Sequence, residues 1–305
     1  MLLSALLAGC SAAPAPTASG TATPEPPPAA SATPNQPGYA TLQAALADRS
    51  AAAAALTGRP VGKRDWATIS AGFLPAAEKY EDRRRKAMKE KAARSEYGLE
   101  SVLGWTSDGS TVVVSEYAGS GADYRIAVYR WNAGRPLQLF QLPVSPLSRV
   151  RPAANAVAET APASATAGLV SYRTKGTKPG KVLLGGEADF VRFAPTIDKK
   201  HARYFTETNR CSVPEAFGAP VAWRVPTESG TLTLAAVRCL NKIVSKGGWQ
   251  VKRPDWDQAI TGDKRYFDRL SCDDVFPMAA SAVTGGNTSW HSPQQQPLTD
   301  ETGFR

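Results

Sequence analysis

The sequence predicts an α+β protein in which N-terminal helices precede a mainly antiparallel, β-rich body. Three observations carry that expectation. Two segments before residue 98 have helical composition and spacing, the pattern changes to period-two alternation from Leu103, and short strand-like runs separated by Gly- and Asp-containing turns then continue to Lys252. Roughly residues 39–290 remain for a folded body, enough for one large core or two small ones.

In chain order, the first feature is the apolar run Leu2, Leu3, Ala5, Leu6, Leu7, Ala8. It is too short to cross a bilayer, which takes about 20 residues, and reads as the core of a processed export signal spanning residues 1–9. Leu7, Ala8, Gly9 and Cys10 resemble the lipobox of bacterial lipoproteins. That resemblance implies a diacylglyceryl thioether on Cys10, cleavage of the bond before it, and anchoring of the chain to a bacterial envelope membrane through fatty-acyl chains such as palmitate. Only Met1 precedes the run, where a signal usually carries Lys or Arg, so a start further upstream is expected. Ser11 to Gly38 is almost wholly Pro, Ala, Ser and Thr, with Glu25 its only charge and three prolines at 26–28. Such a segment has little to bury, and residues 10–38 read as a lipid anchor followed by a disordered, semi-extended spacer.

Residues 39–150 are expected to form a helical lead-in and a β-meander. Tyr39 to Leu56 has high helix propensity, a thin apolar stripe of Leu42, Leu46, Ala53 and Leu56, and a stop at Gly58 before Pro60. A second helix is expected from Pro75 to Tyr97, supported by four-apart pairs Glu81 with Arg85, Asp82 with Lys86 and Glu90 with Arg94, and resting on Phe73, Ala77, Tyr80 and Met88. Its cations Arg83 to Lys86 are interleaved with acids, as on a solvated face. Beyond it, Ser107, Asp108 and Gly109 mark a turn before Thr111 to Ser115. Tyr124, Ile126 and Val128 then alternate with Arg125, Ala127, Tyr129 and Trp131, and Leu137 to Leu142 continues the meander. The block Leu103 to Pro143 resembles one blade of the TolB-type β-propellers, which carry an "SDG" turn and two antiparallel strands. A propeller requires that motif to recur at a period near forty, and no second clear copy is present.

Arg151 to Gly168 is again Ala-, Pro-, Ser- and Thr-rich, with Glu159 its only acid, and reads as an exposed loop at a boundary between two units. Residues 169–284 follow as a β-rich unit with short helices. Its strand-like runs are Leu169 to Arg173, Lys181 to Leu184, Asp189 to Phe193, Arg203 to Thr206, Pro220 to Val225, Thr231 to Cys239 and Trp249 to Lys252. Asp255 to Leu270 reads as one or two short helices, and residues 285–305 as a disordered tail.

Beyond Cys10 three cysteines remain, which allows at most one internal disulfide. Cys211 and Cys239 each close a strand-like run and form the favoured pair; Cys239 with Cys272 is the alternative. The two histidines, His201 and His291, stand in a turn and in the polar tail, a poor setting for a Cys–His enzyme, and neither they nor "SCDD" at 271–274 have metal-ligand spacing. No serine nucleophile elbow or Walker-type loop is present, and nothing calls for a cofactor or a metal.

Net charge is +9, which permits attraction to anionic lipid, an acidic envelope polymer or an acidic protein. Nucleic acid is not expected, given the export signal and the lack of zinc-finger or RNA-binding motifs. Aromatic and basic residues gather in "GGWQVKRPDW", where Trp249, Lys252, Arg253 and Trp256, together with Arg224 and Trp223 upstream, are candidates for a partner-binding surface. The competing reading puts the tryptophans in the core. Two functions follow. The first is a non-enzymatic, envelope-anchored binding module for another envelope component, such as an assembly subunit, an inhibitor or a sensor. The second is a wall- or lipid-directed hydrolase using carboxylates distant in sequence, with Glu116, Asp123, Asp189, Glu207 and Asp268 as the acids available.

Mass analysis of membrane-extracted protein is expected to show a lipid-modified Cys10 and loss of residues 1–9. If the start lies upstream, the same product should appear only when the upstream codons are restored. An unmodified Cys10 thiol in membrane-extracted protein would refute the anchor.

Overall fold

Leu42, Leu46, Ala53 and Leu56 recur at helical spacing, and all four are buried along helix α1 (Tyr39–Thr57), which forms over the range its pattern predicts. The structure is a computed structural model. It describes residues 36–90, 96–118, 124–132, 134–144, 150–175, 203–252, 266–283, 288–291, 296–297 and 302–304.

Helix α2 (Leu74–Met88) has Pro75 in its first turn and buries Leu74, Ala77, Tyr80 and Asp82, with Phe73 buried at its N-cap. Met88 is instead 46% exposed. The helix does not continue to Tyr97. Lys89 adopts a left-handed φ of 55°, and the N–H groups of Lys89 and Glu90 close on the carbonyls of Lys86 and Arg85, a C-terminal lock that ends the helix. Glu81 pairs with Arg84 and Arg85 as helical spacing dictates. Asp82 turns inward rather than toward Lys86: it accepts from Arg64 and, at 2.7 Å, from the Trp66 indole N–H. Arg64 also donates to the Thr57 carbonyl at 2.6 Å, so one buried ion pair ties the end of α1 to α2.

Four strands follow as an antiparallel meander: β1 (Tyr97–Thr106), β2 (Thr111–Ala118), β3 (Tyr124–Asn132) and β4 (Arg135–Val144). The first turn is built on Asp108, whose carboxylate accepts from the Thr106 and Ser110 hydroxyls and the Ser110 N–H; these bonds lower its pKa to about 2. Gly109 supplies the left-handed residue, with φ 67°. The alternation in β3 separates two cores. Tyr124, Ile126 and Val128 point to the inside of the sheet, whereas Ala127 and Tyr129 meet Leu42 and Leu46 of α1.

A buried polar set lies beside that second core. Glu116 accepts from Arg125 at 2.6 Å and from the Tyr129 hydroxyl at 2.7 Å, while Arg49 of α1 donates to Gln138 and to the Ile69 carbonyl. Burial, reinforced by the Glu116 charge, raises the Tyr129 hydroxyl above its ordinary range. Burial works against the charge on Arg125, and the neighbouring Glu116 outweighs it and keeps the guanidinium protonated.

Residues 151–168 are not an exposed loop. They contain strand β5 (Val157–Thr160) and the start of helix α3 (Ala163–Lys175), which also replaces the strand expected at 169–173. Strand β5 pairs in parallel with β1 through Trp105 to Val157 and Thr106 to Ala158. It then pairs antiparallel with β9 (Ala222–Thr227) through Glu159 to Arg224 and Thr160 to Trp223. The small residues that suggested a loop are needed here because two backbones approach closely. A Cβ on Gly104 would lie 3.1 Å from both the Ala156 carbonyl oxygen and the Ala158 nitrogen.

The remaining strands are β6 (Phe205–Ser212), β7 (Glu215–Ala216), β8 (Ala219–Pro220), β10 (Gly230–Ser245), β11 (Val251–Lys252), β12 (Tyr266–Phe267), β13 (Arg269–Val283), β14 (Thr288–His291), β15 (Gln296–Pro297) and β16 (Thr302–Phe304). Twelve strands form one mostly antiparallel sheet with the main order β14-β13-β10-β9-β5-β1-β2-β3-β4. It runs through both of the units expected on either side of residues 151–168, and residues Thr33–Arg305 are one compact unit. Tyr266 to Leu270, expected as helix, is instead β12 and the start of β13, separated by a bend at Asp268. Part of the expected disordered tail is ordered too, with β14, β15 and β16 all pairing onto β13. The strands expected at 181–184 and 189–193 lie outside the described residues.

The sheet curls until β4 and β13 face one another, so Phe140 and Leu142 share an interior core with Trp223, Leu232, Leu234 and Val275. Phe140 meets the Trp223 ring edge-on at 6.1 Å. Phe73, Leu74 and Ala77 of α2 join this interior, α1 covers the outer face of the first half, and α3 covers Ala235, Val237 and Met278 on the outer face of the second.

Gly104→Val should destabilise the protein by about 1–3 kcal/mol, since the added side chain must push β5 away. The control Gly58→Ala has right-handed backbone and its nearest contact at 3.5 Å, and it should stay within about 0.5 kcal/mol. Urea unfolding of the two variants checks the contrast; equal midpoints would refute the close approach.

Candidate functional site

Strand β10 is longer than its neighbours on one side. Strand β9 pairs with its first part, Gly230 to Ala235, and β6 with its last part, Arg238 to Ser245, while β13 follows it along the other edge. Beyond Val237 the sheet therefore continues as an arm of β6, β10 and β13, with the short strands β15 and β16 on the outer edge of β13. Cys211 and Cys239 occupy directly opposed positions of β6 and β10 and are joined by a disulfide, the pair favoured from sequence, although Cys239 lies within β10 rather than at its end. The bond staples the arm where it leaves the body.

Register assigns the side chains of the arm to two faces. One continues the surface under α3 and holds Cys239, Asn241 and Ile243 of β10 with Glu207 of β6, where Asn241 donates to Glu207 at 2.6 Å. The other continues the interior surface, but past Ala236 it is open. It carries Arg238, Leu240, Lys242 and Val244 of β10, all exposed, together with Arg210 and Arg269 of the flanking strands. Arg238 forms a two-pronged ion pair with Asp273 on that face. Arg210, Lys242 and Arg269 make no ion pair among the described residues.

At the tip of the arm Trp249 is 50% exposed and meets the Tyr204 ring at a 39° tilt with ring centroids 4.1 Å apart. The Arg203 guanidinium lies 4.5 Å from the Tyr204 ring centroid. The Lys246 N–H donates to the Tyr204 carbonyl and the Ser245 N–H to that of Asp268, which together tie the end of β10 to the chain on either side. One buried carboxylate oxygen of Asp268 has no hydrogen-bond partner among the described residues. Strand β11 places Lys252 opposite Tyr266, which is 55% exposed.

The structure thus brings together part of the surface expected from sequence. Trp249 and Lys252 belong to the tip, whereas Arg224 pairs with Thr233 near the other end of β10. From position 233 to 245 is twelve residues, about 40 Å of strand at roughly 3.3 Å each, so Arg224 is not part of the tip. Trp223 is core. Arg253 and Trp256 lie outside the described residues. Tyr204, Arg203 and Tyr266 were missed because they are remote from Trp249 in sequence and join it only through strand pairing.

Of the acids named for hydrolysis, Glu116 is buried and bonded to Arg125 and Tyr129, and Glu207 accepts from Asn241. Asp123 and Asp189 lie outside the described residues, as does His201. Cys272 occupies a β13 position opposite Asn241, and His291 a β14 position opposite Ala279. Among the described residues no three His, Cys, Asp or Glu side chains gather as a metal site, and no helix is long and apolar enough to cross a membrane. No family model, curated protein or solved structure matches this chain.

The disulfide closes a loop with its ends 28 residues apart, and such a restraint on the unfolded chain is worth about 3–4 kcal/mol. Cys211→Ser with Cys239→Ser should lower the unfolding free energy by about that amount, with β6 amides losing hydrogen-exchange protection first. An unchanged urea midpoint would show that the staple does not carry the arm.

Proposed function

We propose that this chain is a lipoprotein of a bacterial cell envelope, held at the membrane through acylated Cys10, and that it works as a non-enzymatic binding module for another envelope component. An assembly subunit and an inhibitor are two forms of the same activity. The observation that carries the binding reading is the tip of the arm, where a half-exposed tryptophan packs against Tyr204, whose ring in turn lies under the Arg203 guanidinium. A large rigid ring held in place offers contact area at little entropic cost, and neighbouring cations select an acidic partner. Core tryptophans such as Trp223 and Trp66 are buried, which sets Trp249 apart from packing residues. The spacer of residues 11–38 supports the same reading, since it would give a tethered binding surface room to search.

A photo-crosslinking residue at exposed Gln250, beside Trp249, should capture a partner in the native envelope, while the same group at exposed Asp48 on α1 should not. Adding Trp249→Ala and Lys252→Glu to the Gln250 probe should abolish capture and leave the thermal transition near its original value. Equal capture from both positions would refute the site, and hydrolysis of wall polymer or phospholipid by the purified protein, lost on changing one acid, would replace binding by catalysis.

A further inference from the structure

We propose that the arm binds an acidic glycan, a linear polymer of sugar rings carrying negative charge, laid along the open face of β10 with one ring seated on Trp249. This rests on the binding reading above and adds the chemical class of the partner.

The first argument is charge segregation. The open face of the arm carries Arg210, Arg238, Lys242 and Arg269, and its one acid among the described residues, Asp273, is bonded to Arg238. Glu207 and Asp274 fall on the opposite face. A face with three cations left without an acid attracts a polyanion.

The second argument is spacing. Residues on one face of a strand recur every second position, about 6.6 Å apart. The rungs of the open face contain Arg238; then Arg210 beside Leu240; then Lys242; then Arg269 beside Val244. Each rung holds one cation. The charges therefore advance toward the tip one rung at a time, on β10 for Arg238 and Lys242 and on its two flanks for Arg210 and Arg269, a band that a linear polymer with repeating acid groups can follow. Thr206 and Thr208 are exposed on the same face and offer hydroxyls to those of sugars.

The third argument is the end of the track. The Trp249 ring is half-exposed and packed at a tilt against Tyr204, and an apolar ring face of that kind suits the C–H face of a sugar. A bilayer is a poorer match for this surface. Leu240 and Val244 stand flush with cations on their own rungs rather than at an apolar point that could enter lipid, and Trp249 is held by its neighbour.

Protein extracted from its membrane should be titrated with polygalacturonate, which has rings and acid, with polyglutamate, which has acid alone, with dextran, which has rings alone, and with phosphatidylglycerol vesicles. Polygalacturonate should bind tightest and weaken as salt rises. Lys242→Glu with Arg269→Glu should weaken it about tenfold or more, as should Trp249→Ala, while Trp249→Ala should leave polyglutamate binding unchanged. The milder Lys242→Gln removes one exposed charge within an intact strand and should give a smaller loss in the same direction. Equal affinity for the two polyanions overturns the proposal, and so does preference for vesicles. Absence of polygalacturonate binding while the Gln250 probe still captures an envelope protein overturns the glycan and leaves the binding function standing; absence of both removes both.

Discussion

The sheet is joined in the middle by a strand of four residues. Strand β5 gives two pairings to β1 and two to β9, and nearly all of the interior core depends on the two halves being held at that seam. The seam is possible because Gly104 presents no side chain, so the backbone of residues 156–158 can come close enough to bond. Neighbouring bonds extend it: Ala153 donates to Pro226, Glu228 to Arg151 and Ala161 to Ala222, so residues 151–161 track β9 for its whole length. With the seam made, the halves curl over a shared interior and Trp223 reaches Phe140 across it.

Charge is handled differently in the two halves. Under α1 and α2 two carboxylates are buried and engaged on both oxygens, Asp82 between Arg64 and Trp66 and Glu116 between Arg125 and Tyr129. Losing one member of such a set leaves the other as an uncompensated buried charge, which makes these groups specifiers of one packing more than sources of net stability. On the arm the cations are exposed and mostly lack acids, which adds little to stability and leaves them available to something outside the chain. Under the proposed function the first half is scaffold and the arm the working surface.

How far the sequence revealed this depended on whether the signal was local. The stripe on α1, the Asp108 turn and the two-sided β3 were legible because each rests on spacing or on turn chemistry within a few residues, and the Cys211–Cys239 pair because so few cysteines leave few pairings. The end of α2 was not, because a lysine took the left-handed position where glycine is the usual marker. Residues 151–168 were misread because alanine, proline and serine signal exposed loop and tight packing equally; Ala158 is small because it is crowded. The late strands β14 to β16 were missed because each is short and depends on β13 for its partner. At the site, the sequence left Trp249 open between surface and core, because exposure depends on contacts it does not show, and Arg224 was named with it although a long strand separates them.

The position of β5 also has a kinetic meaning. The meander of β1 to β4 closes through short turns and can assemble early, because its partners are adjacent in the chain. Strands β10 and β13 must find each other across a much longer stretch, and β9 is positioned only once β10 is there to receive it. Strand β5, with half its bonds to each side, has a complete docking site only after both have formed. Its closure is then the step at which two partly ordered halves become a single cooperative unit, and until that step each half has an open edge and an uncovered apolar face toward the other. The period before the seam shuts is when this chain is most exposed to aggregation, and a chaperone that shields either edge would act on that interval.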